Sequence, residues 1–131
     1  MERNNKLTKS ERLSRKSTID KLYAEGRSVA AFPLRAVYIP LEAEEGEPTV
    51  SILIAVSKKR FRHAVDRNLV KRRLREAYRL NKHNFVETLQ QQGGRMAIAI
   101  LYLDKQHHSF HHLQTRLKKI LQMIQEKASE Q

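Results

Sequence analysis

Cysteine is absent from this 131-residue chain, which excludes disulfide staples and thiolate metal sites and fits a reducing cytoplasm. Long apolar runs are missing as well. None approaches the roughly 20 residues needed to span a bilayer, and the basic opening MERNNKLTKSERLSRKST leads into no apolar leader core. A cytoplasmic protein with no membrane partner is expected. The chain also lacks paired carboxylates in any plausible pocket, a nucleophile motif, a glycine-rich phosphate loop and a dinucleotide fingerprint. It therefore has no self-sufficient active site, and no cofactor is expected to be bound by the protein itself. Internal repeats and low-complexity blocks are absent too. With 40% apolar residues, residues 1–131 suit one compact domain, with 1–16 as a basic N-terminal tail and 126–131 as a C-terminal tail.

Acids are scarce, 14 against 26 lysines and arginines, for a net charge of +12. Placement matters more than size. Between Lys58 and Arg75 stand nine basic groups and a single acid, Asp66; between Arg3 and Lys16 stand six basic groups and one acid, with no obvious internal partner for them. Glu42, Glu44, Glu45 and Glu47 crowd into LEAEEGEP. A positive face opposite a mildly acidic one is the footprint of a polyanion partner. Nucleic acid fits better than an anionic membrane surface, because membrane-surface helices expose large apolar residues beside their cations and here the core needs those residues.

Read by period, the elements run helix, strand, strand, basic segment, helix, strand, helix: a sheet packed on helices, an α+β arrangement. Ser17 is placed to cap a first helix through Glu25, with Ile19, Leu22 and Tyr23 on one side and Gly26 at its end. Val29 to Ile39 reads as a strand that Pro33 and Pro40 confine to an edge or to strand ends. Thr49 to Ser57 reads as a buried strand forming a hairpin with it. From about Ala64 to Leu80 the period is helical: Val70, Leu74, Ala77 and Tyr78 share a core side, and Asn68, Arg72, Arg75 and Arg79 share a basic one. NFVETLQQQGG adds a turn or two of helix. Met96 to Leu103 is an internal strand, and a last amphipathic helix starts at Ser109.

The basic side points to nucleic acid. Asn68 offers a donor and an acceptor to ribose or base edges, while Arg72 and Arg75 can clamp phosphates bidentately. Lys58, Lys59, Arg60 and Arg62 form a cationic loop before a helix N-terminus that itself attracts phosphate. The segment VSKKRFRHAVDRNLVKRRLRE resembles the signature of the bacterial ribonuclease P protein component, approximately A-x-x-R-N-x-x-K-R-x-x-R, here Ala64, Arg67, Asn68, Lys71, Arg72 and Arg75. RLSRKSTIDKLYAEGRSV resembles that family's opening helix and SILIAVSKK its strand into the basic loop, so the likeness spans roughly residues 12–105.

The resemblance implies a mixed four-stranded sheet with three helices and a left-handed β-α-β crossover, ribosomal S5 domain 2-like, against the usual right-handed rule. It implies an auxiliary subunit of an endoribonuclease that removes the 5′ leader of precursor tRNA. The catalytic subunit is an RNA, with which the magnesium ions belong. Carried over residue by residue, Arg67, Asn68, Lys71, Arg72 and Arg75 would contact ribonuclease P RNA, with Lys58, Lys59, Arg60, Arg62 and Arg79 extending the surface. Ile19, Tyr23 and Tyr38 would line a cleft for the single-stranded leader. Ile19 stands where the family commonly has an aromatic, and Leu69 where it often has a third basic residue.

His107, His108, His111 and His112 have the i, i+4 spacing of zinc ligands, but Ser109 leaves the first two outside the helix, so they read as a polar helix start. Asp66 pairs loosely with Arg73 and Glu76 with Arg72 or Arg79; Tyr78 reads as core. The rival from another class is a ribosomal or other structural RNA-binding protein. A DNA-binding regulator would need a turn and second helix at helix-turn-helix spacing, which the chain lacks. If about five to eight phosphates are neutralised, affinity for RNA should fall with a log–log salt slope of roughly −0.7 per single-strand contact. Filter binding across a salt series measures this, and a flat dependence would remove the electrostatic reading.

Overall fold

The computed structural model describes residues 11–129. Helix α1 (Lys16–Glu25) is followed by β1 (Arg27–Ala31), β2 (Leu34–Leu41), β3 (Val50–Ala55), α2 (Ala64–Gln91), β4 (Arg95–Tyr102) and α3 (Phe110–Ser129). The four strands form one mixed sheet in the order β1-β2-β4-β3. Three helices on such a sheet is the α+β architecture expected.

Strand pairing departs from the expectation. What reads as one strand from Val29 to Ile39 is a hairpin, β1 and β2, turning at Phe32 and Pro33. β3 makes no hairpin with its predecessor; it runs parallel to β4, which pairs antiparallel with β2 on its other side. The reason lies in β4, whose Met96 to Ile100 are all buried. A strand apolar on both faces belongs in the interior of a sheet, and a parallel neighbour requires a long crossover, here α2. Pro33 in the turn and Pro40 near the end of β2 leave the centre of the ladder intact.

α2 is a single helix of 28 residues, about 42 Å long at 1.5 Å per residue, so NFVETLQQ continues it without a break and Gln92 is its C-cap. Its Val70, Leu74, Ala77, Tyr78, Phe85 and Leu89 are buried with β-sheet residues and with Leu113, Leu117, Ile120 and Ile124 of α3 in the main core. A second, smaller core lies on the other face of the sheet, where α1 brings Leu22 onto Val37, Ile39, Ala97 and Ala99.

Both expected tails are partly structured. Leu13 is buried in the α1-side core and its N–H donates to the Ile52 carbonyl at 2.8 Å, so the chain before α1 runs along the open edge of β3. Arg12 makes a parallel bridge with Ile52. Glu11 accepts from the buried Lys82 ammonium of α2 through both oxygens, at 3.0 and 2.9 Å. Arg15 pairs with Glu47 at 2.9 Å, an internal partner the sequence did not suggest. Arg3, Lys6 and Lys9 lie outside the described residues, as do positions 130–131. At the other end, α3 runs on through positions 126–129.

α1 begins one residue before Ser17, with Arg15 at its N-cap and no side-chain cap; Ser17 is in the first turn, exposed. Gly26 does end α1, donating to the Leu22 carbonyl at 2.8 Å, in an extended rather than left-handed conformation. Its requirement is space: a Cβ there would sit 2.3 Å from the Leu22 oxygen and 2.6 Å from Val37 Cγ1. Gly26→Ala should therefore push α1 off β2 and cost about 2 kcal/mol or more. Urea unfolding checks this, and a midpoint equal to the parent's would refute it.

Candidate RNA interface

The basic side of α2 follows from its buried stripe. Once Val70, Leu74 and Tyr78 face the core, a 100° step per residue places Asn68, Lys71, Arg72, Arg75 and Arg79 together along the flank. Asn68 and Arg72 are exposed; Lys71, Arg75 and Arg79 are half-buried. Arg79 is partly neutralised by Glu76, its Nε donating to Oε2 at 3.0 Å and its Nη2 to Oε1. That pairing holds the Glu76 carboxyl below its ordinary pKa and the Arg79 guanidinium above its own. Of the two partners allowed by spacing for Glu76, the structure selects the i+3 one.

Ahead of α2 the chain makes a tight turn, with the Arg60 N–H donating to the Ser57 carbonyl at 3.1 Å. Lys58, Lys59 and Arg62 are exposed on it and Arg60 is half-buried. Arg67 braces this loop, since its Nη1 donates to the Phe61 and Arg62 carbonyls, both at 2.9 Å. One motif arginine thus shapes the loop that presents the other cations.

The histidines brace it from the far side. Asp66 pairs with His107 at 3.0 Å rather than with Arg73, and the His107 ring stacks on Phe61 with centroids 4.5 Å apart. Arg73 instead donates to the His108 carbonyl at 2.9 Å. His108 binds Asp104 at 2.6 Å and stacks on His112 at 4.9 Å. Ser109 caps α3 as expected, its hydroxyl accepting from the His112 N–H at 3.1 Å. Among the described residues no group of three histidines and carboxylates is placed to hold a metal ion. Burial, then the Asp104 charge, pushes the Tyr102 hydroxyl up to about 12 against the opposing pull of Arg73, and that hydroxyl donates to the Gln106 carbonyl. Burial likewise raises Tyr78, with Glu11 adding to it.

On the α1 side, Ile19 is half-buried against the smaller core and Tyr23 is 49% exposed. α1 lies over β2 and β4. Beyond it Leu53 of the edge strand β3 remains half-buried, and a small pocket there is lined by Arg12, Leu13, Ile52, Leu53, Ile54 and Arg75. The groove floor thus meets a basic residue of α2 across one strand. Tyr38 does not belong to it. Alternation along β2 sends Val37 and Ile39 toward α1 but Ala36 and Tyr38 into the main core on the opposite face, where the Tyr38 hydroxyl is buried without a hydrogen-bond partner. Leu53 and Arg12 line the pocket in its place; for Arg12 the only signal was membership of a basic cluster.

The ribonuclease P family model matches residues 7–125. The chain belongs to the ribonuclease P protein component family. It is 41% identical over 115 residues to the ribonuclease P protein component of Porphyromonas gingivalis strain ATCC 33277, covering 88% of this chain and 83% of that one. It is 33% identical to that of Chlorobium phaeobacteroides, covering 92% and 88%. Among solved structures, the RNase P protein of Staphylococcus aureus superposes with a TM-score of 0.68 at 21% identity, over 87% of this chain and 94% of that one. That of Thermotoga maritima gives 0.66 at 20%, over 86% and 96%. As a ribonuclease P protein component, the chain is a subunit of a ribonucleoprotein and its partner is ribonuclease P RNA. None of the described helices is long and apolar enough to cross a membrane.

The carboxyls here set an acid limit on stability. Hydrogen bonding to His108 holds Asp104 below the ordinary carboxylate range, helped by the Gln106 and Lys105 N–H groups and opposed by partial burial. A carboxyl whose folded pKa is depressed stabilises the fold above its unfolded value and ceases to as pH falls through the folded one. Asp104→Asn should therefore lower Tm at neutral pH, and the difference should shrink below about pH 4. Melting curves across that range decide it; a gap that stays constant into acid would disprove the linkage.

Proposed function

We propose that the protein seats on ribonuclease P RNA through the Lys58–Arg62 loop and the Asn68, Lys71, Arg72, Arg75, Arg79 flank of α2, and holds the 5′ leader of precursor tRNA against the α1 face of the sheet. The observation that carries this is the continuity of the two surfaces: Arg75 lines the same pocket as Leu53 and Arg12 at the edge of β3. One RNA on the flank and a single strand over the groove would share that border. Positive charge neutralises phosphates of both, while Tyr23 offers a face for a base and Ile19 only apolar contact. Such a groove reads little sequence, which suits many different leaders. Arg67 acts on this reading chiefly by ordering the loop.

Bond breaking belongs to the RNA subunit and its magnesium ions; the protein lowers the repulsion between two polyanions, so that less magnesium is needed. The cytoplasm, where precursor tRNA is made, is the compartment this requires. The test is leader release from labelled precursor tRNA by the cognate ribonuclease P RNA at low magnesium. Cleavage should need both components, Arg72→Ala with Arg75→Ala should weaken assembly at least tenfold, and Tyr23→Ala should weaken precursor binding while leaving mature tRNA binding unchanged. Tight RNA binding with no stimulation of cleavage would leave a structural RNA-binding protein instead.

A further inference from the structure

Phe32, in the β1–β2 turn, is the most exposed phenylalanine or tyrosine among the described residues, at 60%. Solitary exposed aromatics are ordinary, but this one ends a row. The rings of Phe61, Tyr102, His108 and Phe32 follow one another with centroid separations of 5.8, 6.3 and 6.4 Å. The row crosses one end of the sheet, from the basic loop after β3, past the end of β4, to the turn before β2. Phe32 therefore lies on the same rim as Lys58, Lys59 and Arg62.

The turn is held in place. The Leu103 N–H donates to the Pro33 carbonyl at 2.8 Å. His108, which meets Phe32 with ring planes at 88°, is itself fixed by Asp104 and by Arg73 on its carbonyl. With 60% of its surface exposed, Phe32 keeps much of its ring available beyond this contact. A rigid, half-exposed ring beside cations that hold phosphates has the makings of a stacking platform for an unpaired base.

We infer that Phe32 stacks on an unpaired base of ribonuclease P RNA, extending the basic-loop interface along the end of the sheet. The catalytic RNA, not the leader, is the occupant, because the row is anchored by Phe61 and Tyr102 of the α2–α3 core while the leader groove lies on the opposite face. This rests on the RNA-binding reading above.

The experiment compares the parent with Phe32→Ala and Phe32→Trp for affinity to ribonuclease P RNA across a salt series, with a thermal melt of each. Phe32→Ala should weaken binding about fivefold or more, with an unchanged salt slope, because a lost stack releases no counterions. Phe32→Trp should bind as tightly as the parent or tighter. An alanine variant that binds like the parent overturns the inference and leaves the RNA-binding reading intact. So does a tryptophan variant as weak as the alanine one, since the loss would then come from the turn. A parent with no salt-dependent affinity would remove both.

Discussion

The apolar stripe of α2, running through Val70, Leu74, Ala77, Tyr78, Phe85 and Leu89, seals against the sheet and α3, and that seal holds the cations of its flank at fixed spacing. Like charges along one helix repel one another, so a cationic helix of this length would gain little from propensity alone. Burial supplies the offset. Two ion pairs moderate the remainder: Glu76 on Arg79, and Glu11 on Lys82, the latter one of two buried polar or charged residues among those described. Asn68 and Arg72 stay exposed to solvent on that flank.

The central position of β4 organises the rest. Being apolar on both faces, it divides the molecule into the α2–α3 core and the α1 core. β3 enters beside it by way of α2, which brings the basic flank to one edge of the sheet. The segment Glu11–Leu13 then runs along that edge, tied to Ile52 and to Lys82. This chain segment joins α1 to the basic helix and limits how far an exposed strand edge can recruit foreign strands.

Charge is also sorted along the strands. The acidic loop between β2 and β3 lies at one end of the sheet, where Arg95 approaches Glu44 at 3.8 Å and Glu47 at 3.7 Å. The basic loop lies at the other end, braced by Arg67 from within and by the His107–Asp66 pair. An approaching polyanion is drawn to one end and repelled from the other, which orients the encounter before contact is made.

The α2 stripe, the Ser109 cap, the internal strand at β4 and the motif from Ala64 to Arg75 were legible in the sequence, because periodicity and capping are local and the spacing of cations on a helix follows from its pitch. What depended on partners distant in the chain was not. The hairpin hidden in Val29–Ile39, the parallel pairing of β3, and the docking of Glu11 and Leu13 each depend on which segments flank one another across the sheet and in which direction, and no local pattern encodes that choice. Tyr38 shows the consequence at the site: strand side chains alternate, so the register that sends Val37 toward α1 sends Tyr38 to the other face. The sequence by itself determined a basic helix and the family to which it belongs. Only the tertiary structure decided which face of the sheet each side chain meets, because that is set by pairing across the sheet rather than along the chain.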